Sequence, residues 1–80
     1  MDYIGNIKRA FQYAKRVSDS FGYQFQFNSA FFANANACCN GKIEVIGYND
    51  VSCQVKYFGV VYSVLNDWAR GFVIERKCLA

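Results

Sequence analysis

Four thiols, at Cys38, Cys39, Cys53 and Cys78, are the residues of this chain best suited to nucleophilic, redox or metal chemistry. Their surroundings limit that chemistry. The chain contains no histidine, which excludes Cys-His and Ser-His-Asp arrangements, the HExxH zinc site and the usual general base near neutral pH. No CxxC pair occurs, and a zinc site wants such pairs, completed by His or further Cys. The reading is therefore no metal and no cofactor. Phosphate-cradling GxxxxGK[ST] and GxGxxG loops are absent too, and the six glycines stand singly, as turn and cap glycines do. In a strand, adjacent side chains point to opposite faces, so Cys38 and Cys39 divide between core and solvent. Both read as reduced and unreactive, with Lys42 the only close cation. Cys53, between Val51 and Val55, reads as a small core residue. On these grounds the chain is not expected to be an enzyme.

Two other features bear on binding. Lys8, Arg9, Gln12, Lys15, Arg16 and Asp19 share the polar face of the first segment, which holds four of the nine Lys and Arg residues. This is either a solvated face or an electrostatic docking surface for an anionic partner, with Lys8, Arg9, Gln12, Lys15 and Arg16 as the partner-binding residues. The second feature, Arg70-Gly71-Phe72-Val73, is similar to the start of the basic-Gly-aromatic signature of RNA-recognition motifs. The Ile74-Glu75 that follows lacks the second aromatic, and no companion strand motif lies upstream. These residues read instead as the end of a helix followed by a core Phe72. A net charge of +3 is modest for a domain whose main partner is a phosphate backbone.

Eighty residues, 54% of them apolar and 19% aromatic, make one compact domain, 1–80, with no room for a second core. Tyr3, Ile4, Ile7, Ala10, Phe11, Ala14, Val17 and Phe21 recur at helical steps. Asp2 is placed to cap that helix and Gly22 to end it. The pattern then changes to period two. Tyr23, Phe25 and Phe27 alternate with Gln24 and Gln26, and Ala33, Ala35 and Ala37 alternate with Asn34 and Asn36, which predicts two strands. A three-residue loop, Cys39-Asn40-Gly41, sets Ala35 and Ala37 beside Val45 and Ile43. Further strands are expected at about 42–48 and 51–57, joined at Asn49-Asp50, with Val51, Cys53, Val55 and Tyr57 inward. Val60 to Arg70 fits a short helix burying Val61, Val64, Leu65 and Trp68 and ended by Gly71; Val60-Val61-Tyr62 alone favours strand, so helix is expected for the later part, with Ser63 placed to cap it. Val73 to Lys77 predicts a last edge strand guarded by Glu75, Arg76 and Lys77. The fold class is thus α+β: an N-terminal amphipathic helix packed on one face of a four- to five-stranded, mainly antiparallel sheet, with a short second helix near the C-terminus.

The longest uncharged run, 20–41, carries Gln24, Gln26, Asn28, Asn34 and Asn36, unlike a membrane-spanning helix. The first residues, with Asp2, Lys8 and Arg9 in an amphipathic pattern, are unlike a signal peptide. A cytoplasmic protein with no membrane association is the expectation.

In its size and its lack of catalytic residues, the chain resembles the small proteins by which bacteriophages disable host defence, notably the anti-CRISPR proteins. That resemblance implies a single domain without an active site, acting in the host cytoplasm by covering a nucleic-acid-binding surface or a subunit interface. It transfers no residue roles. The basic helix departs from the acidic, DNA-mimicking members and points to an acidic or polar protein patch. The expected function is a non-enzymatic protein-binding module, monomeric or homodimeric, whose partner is a protein such as a host nucleic-acid-binding complex. The alternative is a small RNA- or DNA-binding protein using the basic helix face.

Overall fold

A computed structural model of the chain describes residues 3–20, 22, 27–38, 42–67 and 69–77. Two helices, α1 (Tyr3–Ser20) and α2 (Ser29–Cys38), precede four strands, β1 (Ile43–Tyr48), β2 (Ser52–Tyr57), β3 (Val60–Asp67) and β4 (Gly71–Arg76). The strands form an antiparallel meander in the order β1-β2-β3-β4. The α+β layout with an N-terminal amphipathic helix is as anticipated. The short second helix, however, lies ahead of the sheet rather than near the C-terminus.

Helix α1 follows its apolar stripe. Ile7, Ala10, Phe11 and Ala14, at i, i+3, i+4 and i+7, are buried, which is the face a 3.6-residue period turns inward. Ile4, at the margin of that stripe, is 41% exposed. The end is made as the glycine predicts. Gly22 has φ +77° and its N–H donates to the Asp19 carbonyl at 3.0 Å, while the Ser20 hydroxyl donates to the Val17 carbonyl. The left-handed position suits glycine because it lacks a Cβ. Asp2 and Phe21 lie outside the described residues.

The strand expected over Ala33–Ala37 is α2 instead. Asn28 starts it: its side-chain oxygen accepts the Phe31 N–H at 2.9 Å and its carbonyl accepts the Phe32 N–H. Phe27, the residue before this cap, lays its ring parallel to that of Phe32, with centroids 5.7 Å apart. An N-cap with an apolar clasp across the first turn is a strong helix start. Alanine, the best helix former, occupies four of the ten α2 positions. Phe31, Phe32 and Ala35 are buried, whereas Ala33 and Ala37 face solvent. The alternation of Ala with Asn was therefore not a burial pattern. The hairpin pairing of Ala35 and Ala37 with Val45 and Ile43 falls with it. Helix α2 is tied to β1 by the Ile43 N–H, which donates to the Asn36 side-chain oxygen at 2.9 Å, and by the Phe32 ring, whose centroid lies 5.2 Å from that of Tyr48. The strand expected over Tyr23–Phe27 lies outside the described residues apart from Phe27, which belongs to no strand.

The helix expected over Val60–Arg70 is also overturned, since Val60–Asp67 is β3, an interior strand of the sheet. Ser63 is a mid-strand residue opposite Gln54 and Glu75, not a cap. Valines and a tyrosine supply the β-branched and aromatic character that strands favour, and pairing on both sides satisfies the backbone of β3 at each edge. At the end of β3, the Asp67 carboxylate accepts the Ala69 and Arg70 N–H groups and closes the hairpin to β4. Trp68 lies outside the described residues.

Strands β1 and β2 stand close to their expected places. A bulge between Val45 and Gly47 shifts the register, and β2 starts at Ser52, so Val51, anticipated as core, is 55% exposed. Its N–H is held in the turn by the Asn49 side chain. Strand β4 is the anticipated last edge strand, its C-terminal Glu75 and Arg76 exposed.

One core joins these layers. Cys53, Val55, Tyr57, Tyr62, Val64 and Phe72 form its sheet side, and α1 lies along β4. Phe11 is its centre, with ring centroids 5.3–6.2 Å from Phe27, Phe31, Phe32 and Phe72 in edge-on geometry. Ala10, Ala14 and Ala35 are buried beside it. Such small side chains allow close approach between packed elements.

Candidate functional site: a cationic helix face and the cavity beside it

The outer face of α1 carries the residues expected from the sequence to meet a partner. Lys8, Arg9, Gln12 and Arg16 are exposed and Lys15 is half-buried. Lys8, Arg9, Gln12 and Arg16 fall on the side of the helix away from Ile7, Ala10, Phe11 and Ala14, and Lys15, one helical turn after Phe11, lies at the flank. The structure thus collects these side chains on one arc, with Asp19 the single acid among them.

Arg9 has a second role. Its guanidinium donates to the Asn6 side-chain oxygen, and the Asn6 amide in turn donates to the Tyr57 hydroxyl at 3.5 Å. This relay crosses from α1 to the end of β2 along a cavity of about 390 Å³. Asn6, Arg9 and Ala10 line it from α1, Cys38 from the end of α2, Lys42 from the entry to β1, and Tyr57 and Phe58 from the β2–β3 turn. Two cations therefore converge on one concavity from separate elements.

The wall made by Phe58 is unusual. The two-residue turn Phe58-Gly59 has φ +51° and +78°, the left-handed geometry that matches strand twist and favours Asn-Gly. A phenylalanine there is strained, by about 1–3 kcal/mol. Tyr3 offsets part of this by stacking on the Phe58 ring at 5.1 Å, and Tyr57 packs edge-on against both rings. An offset or edge-on ring pair contributes about 0.5–1.5 kcal/mol. Phe58 is nevertheless 52% exposed.

The thiols separate. Cys53 is buried in the sheet, and burial pushes its pKa up from 9.0 to about 12, so it stays a neutral thiol at any ordinary pH. Cys38 is an exposed free cysteine at the end of a helix, not beside a hairpin turn, and it shares its cavity with Arg9 as well as Lys42. Cys39 and Cys78 lie outside the described residues.

The sequence singles out Arg9 by its charge but does not mark Asn6, Lys42, Tyr57 and Phe58 as its neighbours at the cavity. The one local signal was the Asn6-Arg9 spacing of a helical turn. Nothing in the order of residues brings positions 9, 42 and 57 together.

The resemblance of Arg70-Gly71-Phe72-Val73 to an RNA-binding strand has no counterpart in the sheet. Phe72 is buried and edge-on to Phe11, whereas base stacking needs an exposed ring. On the opposite face of the sheet, Glu44 pairs across to Lys56 and Gln54 to Ser63, with Leu65 and Glu75 also exposed. Among the described residues of that face there is no aromatic platform. Among the described residues, too, no helix is long and apolar enough to cross a membrane. Comparison of the chain with protein-family models, with curated proteins and with solved structures finds no match.

Proposed function

We propose that this protein is a non-enzymatic binding module that docks the cationic face of α1 on an acidic patch of a protein partner. In its most concrete form it is a small inhibitor of the anti-CRISPR kind, covering a surface of a nucleic-acid-handling complex. The observation that carries the reading is the arc of Lys8, Arg9, Gln12, Lys15 and Arg16, displayed on a helix whose other face is locked into the core. A rigid helix presents charges without the ordering cost of a loop, and complementary charge speeds association and suppresses wrong partners. Nucleic acid is the second reading, because phosphates are attracted by the same arc. The lack of a stacking ring on the described outer face of the sheet favours the protein partner.

The test uses Lys8→Glu together with Arg16→Glu, both at exposed positions, where substitution costs under about 0.5 kcal/mol of stability. Wild type and variant serve as baits in nuclease-treated extract of the native host, followed by titration of the retained protein. At low salt the variant is expected to bind that protein about tenfold or more weakly, chiefly through slower association. Equal affinity of the two baits would leave α1 a solvated face. Tight wild-type binding to a defined oligonucleotide at roughly 150–200 mM salt, where nonspecific phosphate contacts weaken sharply, would transfer the assignment to nucleic acid.

A further inference from the structure

We propose that the cavity between α1, the end of α2 and the β2–β3 turn binds a small aromatic oxyanion, a flat ring bearing a phosphomonoester or a carboxylate. Three observations converge on it, and none depends on the identity of a macromolecular partner.

The first is charge. Arg9 and Lys42 line the same concavity from different elements, and no Asp or Glu stands among its described lining residues. Two cations facing one cavity repel each other until an anion lies between them, and an oxyanion accepts from both. The second is preorganisation. The Arg9 guanidinium is anchored to Asn6, and Asn6 to the Tyr57 hydroxyl, so a long side chain that normally loses rotamer freedom on binding is already restrained. Arginine also offers a donor fork that matches phosphate and carboxylate geometry. The third is the apolar wall. Phe58 is held in a left-handed backbone conformation and braced by Tyr3, yet remains half exposed at the cavity. Backbone strain that keeps an aromatic side chain in place concentrates at ligand sites, and about 390 Å³ lies in the range of small-molecule pockets.

The roles divide cleanly. Arg9 and Lys42 take the oxyanion, and the Phe58 ring takes the aromatic body. Phosphate and carboxylate ligands share this chemistry, so both are used as probes.

The experiment is a titration of the ¹⁵N-labelled full chain with phenyl phosphate, benzoate and inorganic phosphate, followed by amide chemical shifts. Phenyl phosphate or benzoate is expected to give saturable shifts confined to the surroundings of Asn6, Arg9, Lys42 and Phe58, with inorganic phosphate binding more weakly at the same place. Whichever of the two organic probes saturates first identifies the anion class. Lys42→Gln is expected to weaken the organic probe about tenfold, as loss of a hydrogen bond to a charged group does, whereas Lys8→Gln on the outer arc leaves it unchanged. Phe58→Asn keeps a residue that tolerates the turn and is expected to reduce the organic probe to the affinity of inorganic phosphate. The proposal is overturned by an absence of saturable shifts, by shifts that spread along Lys8, Lys15 and Arg16 and respond to Lys8→Gln, or by an unchanged affinity in Lys42→Gln. Because Lys42 lies off α1, these results are separate from the fate of the docking reading.

Discussion

Replacing Phe11 with Ala is expected to destabilise the domain by about 3–5 kcal/mol, the range for deleting a fully buried aromatic. The Phe11 ring is completely buried and meets four other phenylalanines, two from α2, one from the loop ahead of it and one from β4. The loss has two parts. The removed ring no longer gains from leaving water, and the rings around it cannot all move inward, because they are held by three different segments. A domain of this size has a net stability of only about 4–12 kcal/mol, so the variant is expected to be partly or wholly unfolded at 37 °C. Equilibrium urea unfolding by circular dichroism measures it, with Ile4→Ala, at the exposed margin of the same helix, as the control that changes little. A loss for Phe11→Ala below about 1.5 kcal/mol would mean that the five-phenylalanine cluster is not the centre of the core.

Alkaline pH is expected to destabilise the protein through Cys53. The thiol titrates at about 12 in the fold against 9.0 ordinarily, because burial disfavours the thiolate. Below pH 9 both folded and unfolded chains hold the proton and nothing is lost. Between 9 and about 12 the unfolded chain releases it and the folded one does not, so rising pH favours unfolding. The limiting slope is about 1.4 kcal/mol per pH unit. Lysines and tyrosines titrate in the same window, so the measured quantity is the difference between wild type and Cys53→Ala. Unfolding free energies from pH 8 to 11 are expected to fall more steeply for wild type. Parallel profiles would show that the thiol is reached by water or base without unfolding. Cys53→Ser places a hydroxyl in the same apolar layer and is expected to cost about 1–3 kcal/mol at neutral pH.

These two effects concern the scaffold, and the proposed interactions sit away from it. The outer arc of α1 and the Arg9–Lys42 cavity share only Arg9, so variants at Lys8 and Arg16 address the first and variants at Lys42 and Phe58 the second. Both surfaces rest on a helix whose inner face is fixed by Ile7, Phe11 and Ala14. Destabilising that face would disturb both at once.

What the chain states locally proved sufficient where side-chain pattern and backbone signal agree. In α1, the apolar stripe and Gly22 define the same helix, and the stripe also determines that Lys8, Arg9, Gln12 and Arg16 point outward. In β2, the inward Cys53, Val55 and Tyr57 follow from period two, and β4 is marked as an edge by its terminal charges. Elsewhere the side-chain period pointed to the wrong element, for a local reason in 29–38 and a tertiary one in 60–67. Alanine alternating with asparagine suits a strand by period and a helix by propensity, because a methyl group is nearly indifferent to burial; the Asn28 cap and the Phe27–Phe32 clasp tip 29–38 to helix. Val61, Val64, Leu65 and Trp68 carry helical spacing, yet hydrogen bonding to β2 on one side and β4 on the other makes 60–67 a strand, a gain invisible until both partners are in place. The cavity is the extreme case, since Asn6, Arg9, Cys38, Lys42, Tyr57 and Phe58 become neighbours only through the packing of α1, α2 and the sheet, and no interaction within a few residues along the chain encodes that meeting.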